Sequence, residues 1–175
     1  DMKLIVPKTT AKKLISMGVI DDVTLTYTKN SAVFKSAEYT IYTRLIEGKY
    51  FAYQKMFTEG EINTCASRTA LIGAMTRAKM CTEEKQPAVF QIEDDVLNIS
   101  IRDKLADYQE QVPLQETVCK SIRLGFDSRL VLETLKAFTC DNIALGFTSP
   151  RTPMIVEAGD SDMKAMVLPV AIREA

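Results

Sequence analysis

Apolar positions along the chain alternate between two periods, and the alternation runs in the same order three times. Lys3-Leu4-Ile5-Val6 is an extended apolar run stopped by Pro7, which predicts a strand. Ala11, Leu14 and Ile15 then take the i, i+3, i+4 spacing of one buried helix face, with Gly18 where a C-terminal cap belongs. Three strands are expected next. Residues 23–27 alternate, Lys29-Asn30 turns, Ala32-Val33-Phe34 returns, and residues 39–46 alternate again.

The order restarts near Glu61. Ile62 to Cys65 reads as a strand, and Ser67 caps a helix carrying Leu71, Met75 and Ala78 on one face. Ala88 to Ile92 is a strand, Asp94-Asp95 is expected to turn the chain into a second over 96–101, and a third runs from Tyr108 to Leu114. A third start follows at residues 121–126. Asp127 caps a helix with Val131, Leu135 and Phe138 on its face, and 142–147, 154–157 and 165–170 supply the strands. A unit of about 55 residues is thus repeated three times. One unit has a single amphipathic helix and a sheet with an apolar face, and needs a neighbour to bury both. The fold class is α+β, and three units predict one and a half domains.

Charge adds a second pattern to this frame. The helix stretches 8–17, 67–80 and 128–138 hold Lys8, Lys12, Lys13, Arg68, Arg77, Lys79, Arg129 and Lys136 against one acid, Glu133. The remainder keeps 14 of the 22 basic and 22 of the 23 acidic residues, so a chain of net charge −1 has sorted its cations onto its helices. On one helix this is ordinary solvated surface. Repeated on three equivalent helices, it fits a layer facing a polyanion through sequence-independent, salt-sensitive contacts.

Chemistry narrows the picture by exclusion. The chain has no histidine, the commonest general base, and its seven glycines form no phosphate-binding loop. The pairs Asp21-Asp22, Glu83-Glu84 and Asp94-Asp95 fall at expected turns. Cys65, Cys81, Cys119 and Cys140 lie in apolar-patterned segments without metal-ligand spacing and read as buried thiols in a reducing cytosol. No apolar run approaches the roughly 20 residues that span a bilayer. No catalysis, metal or cofactor is expected. The opening Asp1-Met2-Lys3 reads as that of a fragment or a processed product.

Several strings, in order, carry a family resemblance. Ile5-Val6-Pro7-Lys8 leads into a basic helix. Leu45-Ile46-Glu47-Gly48-Lys49-Tyr50 resembles an interdomain segment of the pattern L-I-[ED]-G-[RK]-[FY]-P-x-Y. Leu124-Gly125-Phe126-Asp127 opens a leucine-rich helix, and Met166-Val167-Leu168-Pro169-Val170 resembles a closing V-[ML]-P-[MV]-R-[LT]. With the repeated unit, these resemble the bacterial DNA sliding clamp, the β subunit of the replicative DNA polymerase III, in its C-terminal half.

The resemblance implies a clamp fold with helices on the inner face and antiparallel sheets outside. Residues 1–50 would be the second half of the central domain, 51–57 the interdomain segment and 58–175 the complete C-terminal domain. It implies a head-to-tail homodimeric ring around duplex DNA in the full-length protein, in the cytoplasm with the nucleoid. It also implies a hydrophobic pocket for short peptide motifs of DNA polymerase, clamp loader and repair proteins. The pocket maps onto Phe51, Lys55, Met56, Leu130, Pro153, Met166, Leu168, Pro169, Val170 and Ile172. The eight helix cations would face DNA, and Met80, Asp107 and Glu110 would meet the neighbouring subunit. Phe51 stands where the family has proline, Ala171 replaces its arginine, and Arg173-Glu174-Ala175 runs past its usual end. A diverged peptide-binding scaffold that no longer encircles DNA is the alternative.

Overall fold

The computed structural model describes residues 3–18, 22–81, 86–102, 107–159 and 162–172. Asp21, Glu83-Glu84 and Arg173-Glu174-Ala175 lie outside them. The chain separates into two compact units, Asp1–Ala52 and Tyr53–Ala175.

In the first unit, helix α1 (Lys8–Ser16) precedes a three-stranded antiparallel sheet of β1 (Thr24–Tyr27), β2 (Ser31–Lys35) and β3 (Thr40–Arg44), in that spatial order. Thr28 N donates to Ser31 O at 2.8 Å and closes the expected turn between β1 and β2. Gly18, at φ +58, takes the left-handed conformation that ends a helix, and its N–H donates to Ile15 O. The expected strand at Lys3–Val6 does not join the sheet. The described ladders end at β3, and Ile5 meets the chain beyond it through a single bond, from Ile46 N to Ile5 O. An extended segment without a ladder on either edge remains a loop.

Among its described residues the second unit has one six-stranded antiparallel sheet, two α-helices and a short 3-10 helix. Its strands are β4 (Ile62–Ser67), β5 (Ala88–Arg102), β6 (Asp107–Phe126), β7 (Asn142–Phe147), β8 (Met154–Glu157) and β9 (Lys164–Val167), in the spatial order β5-β6-β4-β7-β8-β9. Helices α2 (Arg68–Met80) and α3 (Ser128–Ala137) pack against each other, α2 on β4, β5 and β6 and α3 on β9. Both start where sequence places them. Ser67 accepts from Ala70 N at 3.4 Å and Asp127 from Arg129 N at 2.8 Å, each satisfying a donor of the first turn.

Two elements of this unit differ from expectation. Asp94-Asp95 does not reverse the chain: β5 runs through it as an irregularity in the ladder with β6, with Asp94 at φ 52. Aspartate tolerates that backbone in a bulge as readily as in a turn. The strand ending the second repeat and the one opening the third are also a single strand, β6. Gln115, Glu116 and Thr117 supply no glycine or proline to break it.

The eighth residue of each helix measures how completely each repeat is covered. It is Ile15 in α1, Met75 in α2 and Leu135 in α3, always on the face that periodicity marks as apolar. Met75 is 0% exposed and Leu135 1%, because α2 and α3 lie on each other and on the sheet. Ile15 is 79% exposed, against the expectation that it is buried. Among the described residues of its own unit α1 has a three-stranded sheet beside it and no second helix to cover it. The thiols also differ from expectation: Cys119 is exposed, outward beside the buried Val118 of β6, and Cys65, Cys81 and Cys140 are half-buried. Among the described residues no helix is long and apolar enough to cross a membrane.

Candidate functional site

An apolar strip is left uncovered where β8, β9 and α3 meet. In the β8–β9 ladder the last registered pair is Met154 with Val167, so Pro153 and Leu168 follow one step beyond it. Met166 faces Ile155 in the same ladder and is half-buried. Leu130, in the first turn of α3, is 51% exposed, and Leu168 and Val170 are 57% and 41% exposed. Val167 between them is buried and anchors the strip to the core. Val170 returns to β6, where its N–H donates to Gly125 O at 2.8 Å. Ile172 and Pro169 are half-buried.

Pro153, Met166, Leu168, Pro169 and Val170 are therefore brought together by one ladder and its continuation, with Leu130 on the helix packed against β9. Lys55 and Met56 sit on a short 3-10 helix, Tyr53–Met56, with Lys55 exposed and Met56 half-buried. Phe51 belongs to the other unit and is exposed there. Apolar side chains left in water beside proline-stiffened backbone can receive the apolar residues of an extended peptide. Two further concavities are found among the described residues. One of about 570 Å³ is lined by Asn30, Ser31, Tyr42, Arg44, Leu45 and Glu47, and one of about 130 Å³ lies between Thr58–Gly60 and the β7–β8 ladder.

The helix cations have a more particular geometry than their spacing suggests. Lys8, Lys12 and Lys13 on α1 are exposed, as are Lys79 and Lys136. Three arginines are engaged within the chain. Arg68 Nε donates to Cys140 O at 2.6 Å and ties the start of α2 to the loop before β7. Arg129 pairs with the cap Asp127 at 3.2 Å. Burial opposes the Asp127 carboxylate, but hydrogen bonds from the Arg129 side chain and backbone outweigh it and keep its pKa below the ordinary value.

Arg77 makes the strongest of these ties. Its Nε and one terminal nitrogen donate to Glu110 at 2.8 and 2.6 Å, and Glu110 also receives the Tyr108 hydroxyl at 2.5 Å. The same hydroxyl lies 2.9 Å from Ala74 O, so the cluster fastens α2 to the start of β6. The Arg77 guanidinium, then the Tyr108 hydroxyl, hold Glu110 down at about 2. Burial, then the neighbouring carboxylate, push Tyr108 well above the usual phenol range. Glu110, expected at a subunit interface, thus has internal partners. Charge counts could not reveal this pairing across 33 residues. Met80, the last residue of α2, is 78% exposed, and Asp107 is exposed at the first position of β6. Among the described residues no group of acids and thiols has the arrangement to hold a metal ion.

Comparison with known proteins gives this geometry a family. The beta sliding clamp of Staphylococcus aureus is 24% identical over 155 residues, covering 86% of this chain and 41% of that protein. The chain therefore spans less than half the length of such curated relatives. The solved DNA polymerase III beta chain of Streptococcus pneumoniae superposes with a TM-score of 0.87 at 20% identity, over 98% of this chain and 48% of that one. The DNA polymerase sliding clamp of Pseudomonas aeruginosa gives 0.86 at 20%, with the same coverage. At such identities the superpositions establish the clamp fold. The sequence profile for the C-terminal domain of the DNA polymerase III beta subunit matches residues 57–171. That match spans most of the chain, which belongs to the DNA polymerase III beta subunit family, the bacterial sliding clamps.

Proposed function

We propose that this chain is the partner-binding end of a sliding clamp, a non-catalytic processivity factor of DNA replication. Residues 1–50 are read as half of the central clamp domain, 51–57 as the interdomain segment and 58–175 as the C-terminal domain. In the complete protein two subunits would close a ring around duplex DNA in the cytoplasm, with the basic helices inward and contacts that ignore sequence. Short peptides of polymerase, clamp loader and repair proteins would dock on the strip of Leu130, Pro153, Met166, Leu168, Pro169 and Val170, with Lys55, Met56 and Ile172 at its margins. Met80, Asp107 and Glu110 are read as the face toward the neighbouring subunit. The reading is carried by the strip itself: three large apolar side chains, Leu130, Leu168 and Val170, stand in water beside the buried Val131 and Val167.

Calorimetry of the chain with a peptide of the Q-L-x-L-F pattern tests it. Saturable binding that Leu168→Ala weakens at least fivefold is expected, and a peptide that does not bind removes the site. One observation favours a second reading, a scaffold that binds peptides without encircling DNA: Arg68, Arg77 and Arg129 are each engaged within the chain. Elution from circular duplex separates the two. A ring-forming parent protein stays until the circle is cut, and a scaffold elutes from intact circles.

A further inference from the structure

We propose that Gly125 is a positioning residue for peptide binding: its bare backbone seats the segment 168–172, and any side chain there would lift the segment that carries Leu168 and Val170. The proposal rests on the peptide-binding reading above. After β9 ends at Val167 the chain leaves the sheet edge and crosses back to β6, where Val170 forms an isolated antiparallel bridge with Gly125. The strip is thus pinned at two points. Val167 is buried in the sheet, Val170 is hydrogen-bonded to β6, and Leu168-Pro169 spans the gap.

Ile122, Leu124 and Phe126 turn one face of β6 into the core, which leaves position 125 on the opposite face. There the returning segment lies directly on it. A Cβ at 125 would stand 2.8 Å from Val170 O, 3.0 Å from Ile172 Cγ1 and 3.3 Å from Pro87 Cβ. The closest of these atoms is backbone, which cannot rotate away as a side-chain end can. Gly125 is not among the residues with positive φ. Space, and not conformation, is what calls for glycine here. An added methyl would push the segment outward, strain its bond to β6 and displace Leu168 and Val170, while β6 keeps its ladder with β5 through Val89.

Calorimetry of the 175-residue chain with a Q-L-x-L-F peptide tests this, using the parent, Gly125→Ala, Leu168→Ala and the double variant. Gly125→Ala is expected to weaken the peptide at least tenfold. Its melting temperature should stay close to the parent's, and the Val170 amide should exchange faster while β7 and β8 stay protected. Leu168→Ala should then cost less in the Gly125→Ala background than in the parent, because both act through the same segment. A merely structural glycine would give additive losses, and that result overturns the proposal. So does Gly125→Ala binding within twofold of a parent that binds. If Gly125→Ala does not fold, Val170→Pro, which deletes the N–H donor, is compared with Val170→Ala, which removes only the side chain: a loss of affinity well beyond that of Val170→Ala supports the proposal, and an equal loss overturns it. A parent that does not bind the peptide fails the peptide-binding reading, and the proposal with it.

Discussion

Met75→Ala and Ile15→Ala make the same kind of truncation at the same place in two copies of one repeat, and should differ severalfold in cost. Met75 is fully buried between α2, α3 and the sheet. Truncating it to alanine removes three heavy atoms beyond Cβ, worth about 2 kcal/mol in lost transfer at roughly 0.8 kcal/mol per methylene-sized group. The cavity left among Leu71, Ala74 and Ala78 adds to this, giving about 3 kcal/mol in all. Ile15 is mostly in water, so its truncation should cost less than about 0.5 kcal/mol. Urea unfolding at pH 7 measures both, with amide exchange in α1 and α2 assigning each transition to its unit. Equal losses in the two variants would refute the reasoning, since they would mean that Ile15 is covered in solution as fully as Met75.

Other consequences follow from particular contacts. Glu110→Gln should lower the urea midpoint at pH 7. The folded carboxylate titrates at about 2 against an ordinary 4.5, so its contribution is complete above about 4.5 and fades as pH falls toward 2. A difference from the parent that stays constant from pH 7 to pH 3 would contradict the Arg77–Glu110 tie. Ser67→Ala should cost about 1 kcal/mol through the lost cap of α2, read from the same urea curves. A thiol reagent at pH 8 should label Cys119 well before Cys65, whose thiol is pushed up by burial and then by the charge of Glu116; simultaneous labelling would contradict the burial order.

Local rules read well from the chain. Ser67 and Asp127 are short polar residues placed just before apolar periodicity, and both cap as expected because capping is decided within three residues. Leu71, Met75 and Ala78 share the face that periodicity marks, and there α3 and the sheet supply the cover. What was not legible depended on distant partners. Ile15 has the right spacing and the wrong exposure, since periodicity marks a face but does not supply what covers it. Arg77 looked like a cation on a basic helix, yet Glu110 meets it from a strand that sequence could not register against α2. Leu168 and Val170 are legible only through the family resemblance, because nothing in an apolar strand end says which residues stay exposed. Gly125 showed in the sequence only as part of a family string.

The long strand β6 has a further consequence, for inheritance. Tolerated insertions and deletions usually gather where a loop can absorb them, and the boundary between two repeats is where one would look. Here that boundary is continuous strand, with Gln115, Glu116 and Thr117 all exposed in mid-run. Unless it were taken up in the irregularity that already interrupts the β5 ladder between Pro113 and Val118, one residue gained or lost there would reverse the inward and outward parity of everything up to Phe126. Ile122, Leu124 and Phe126 would turn to the surface together, and Arg123 would face the core. The most accessible stretch of β6 should therefore accept substitutions freely while its length is held fixed across generations.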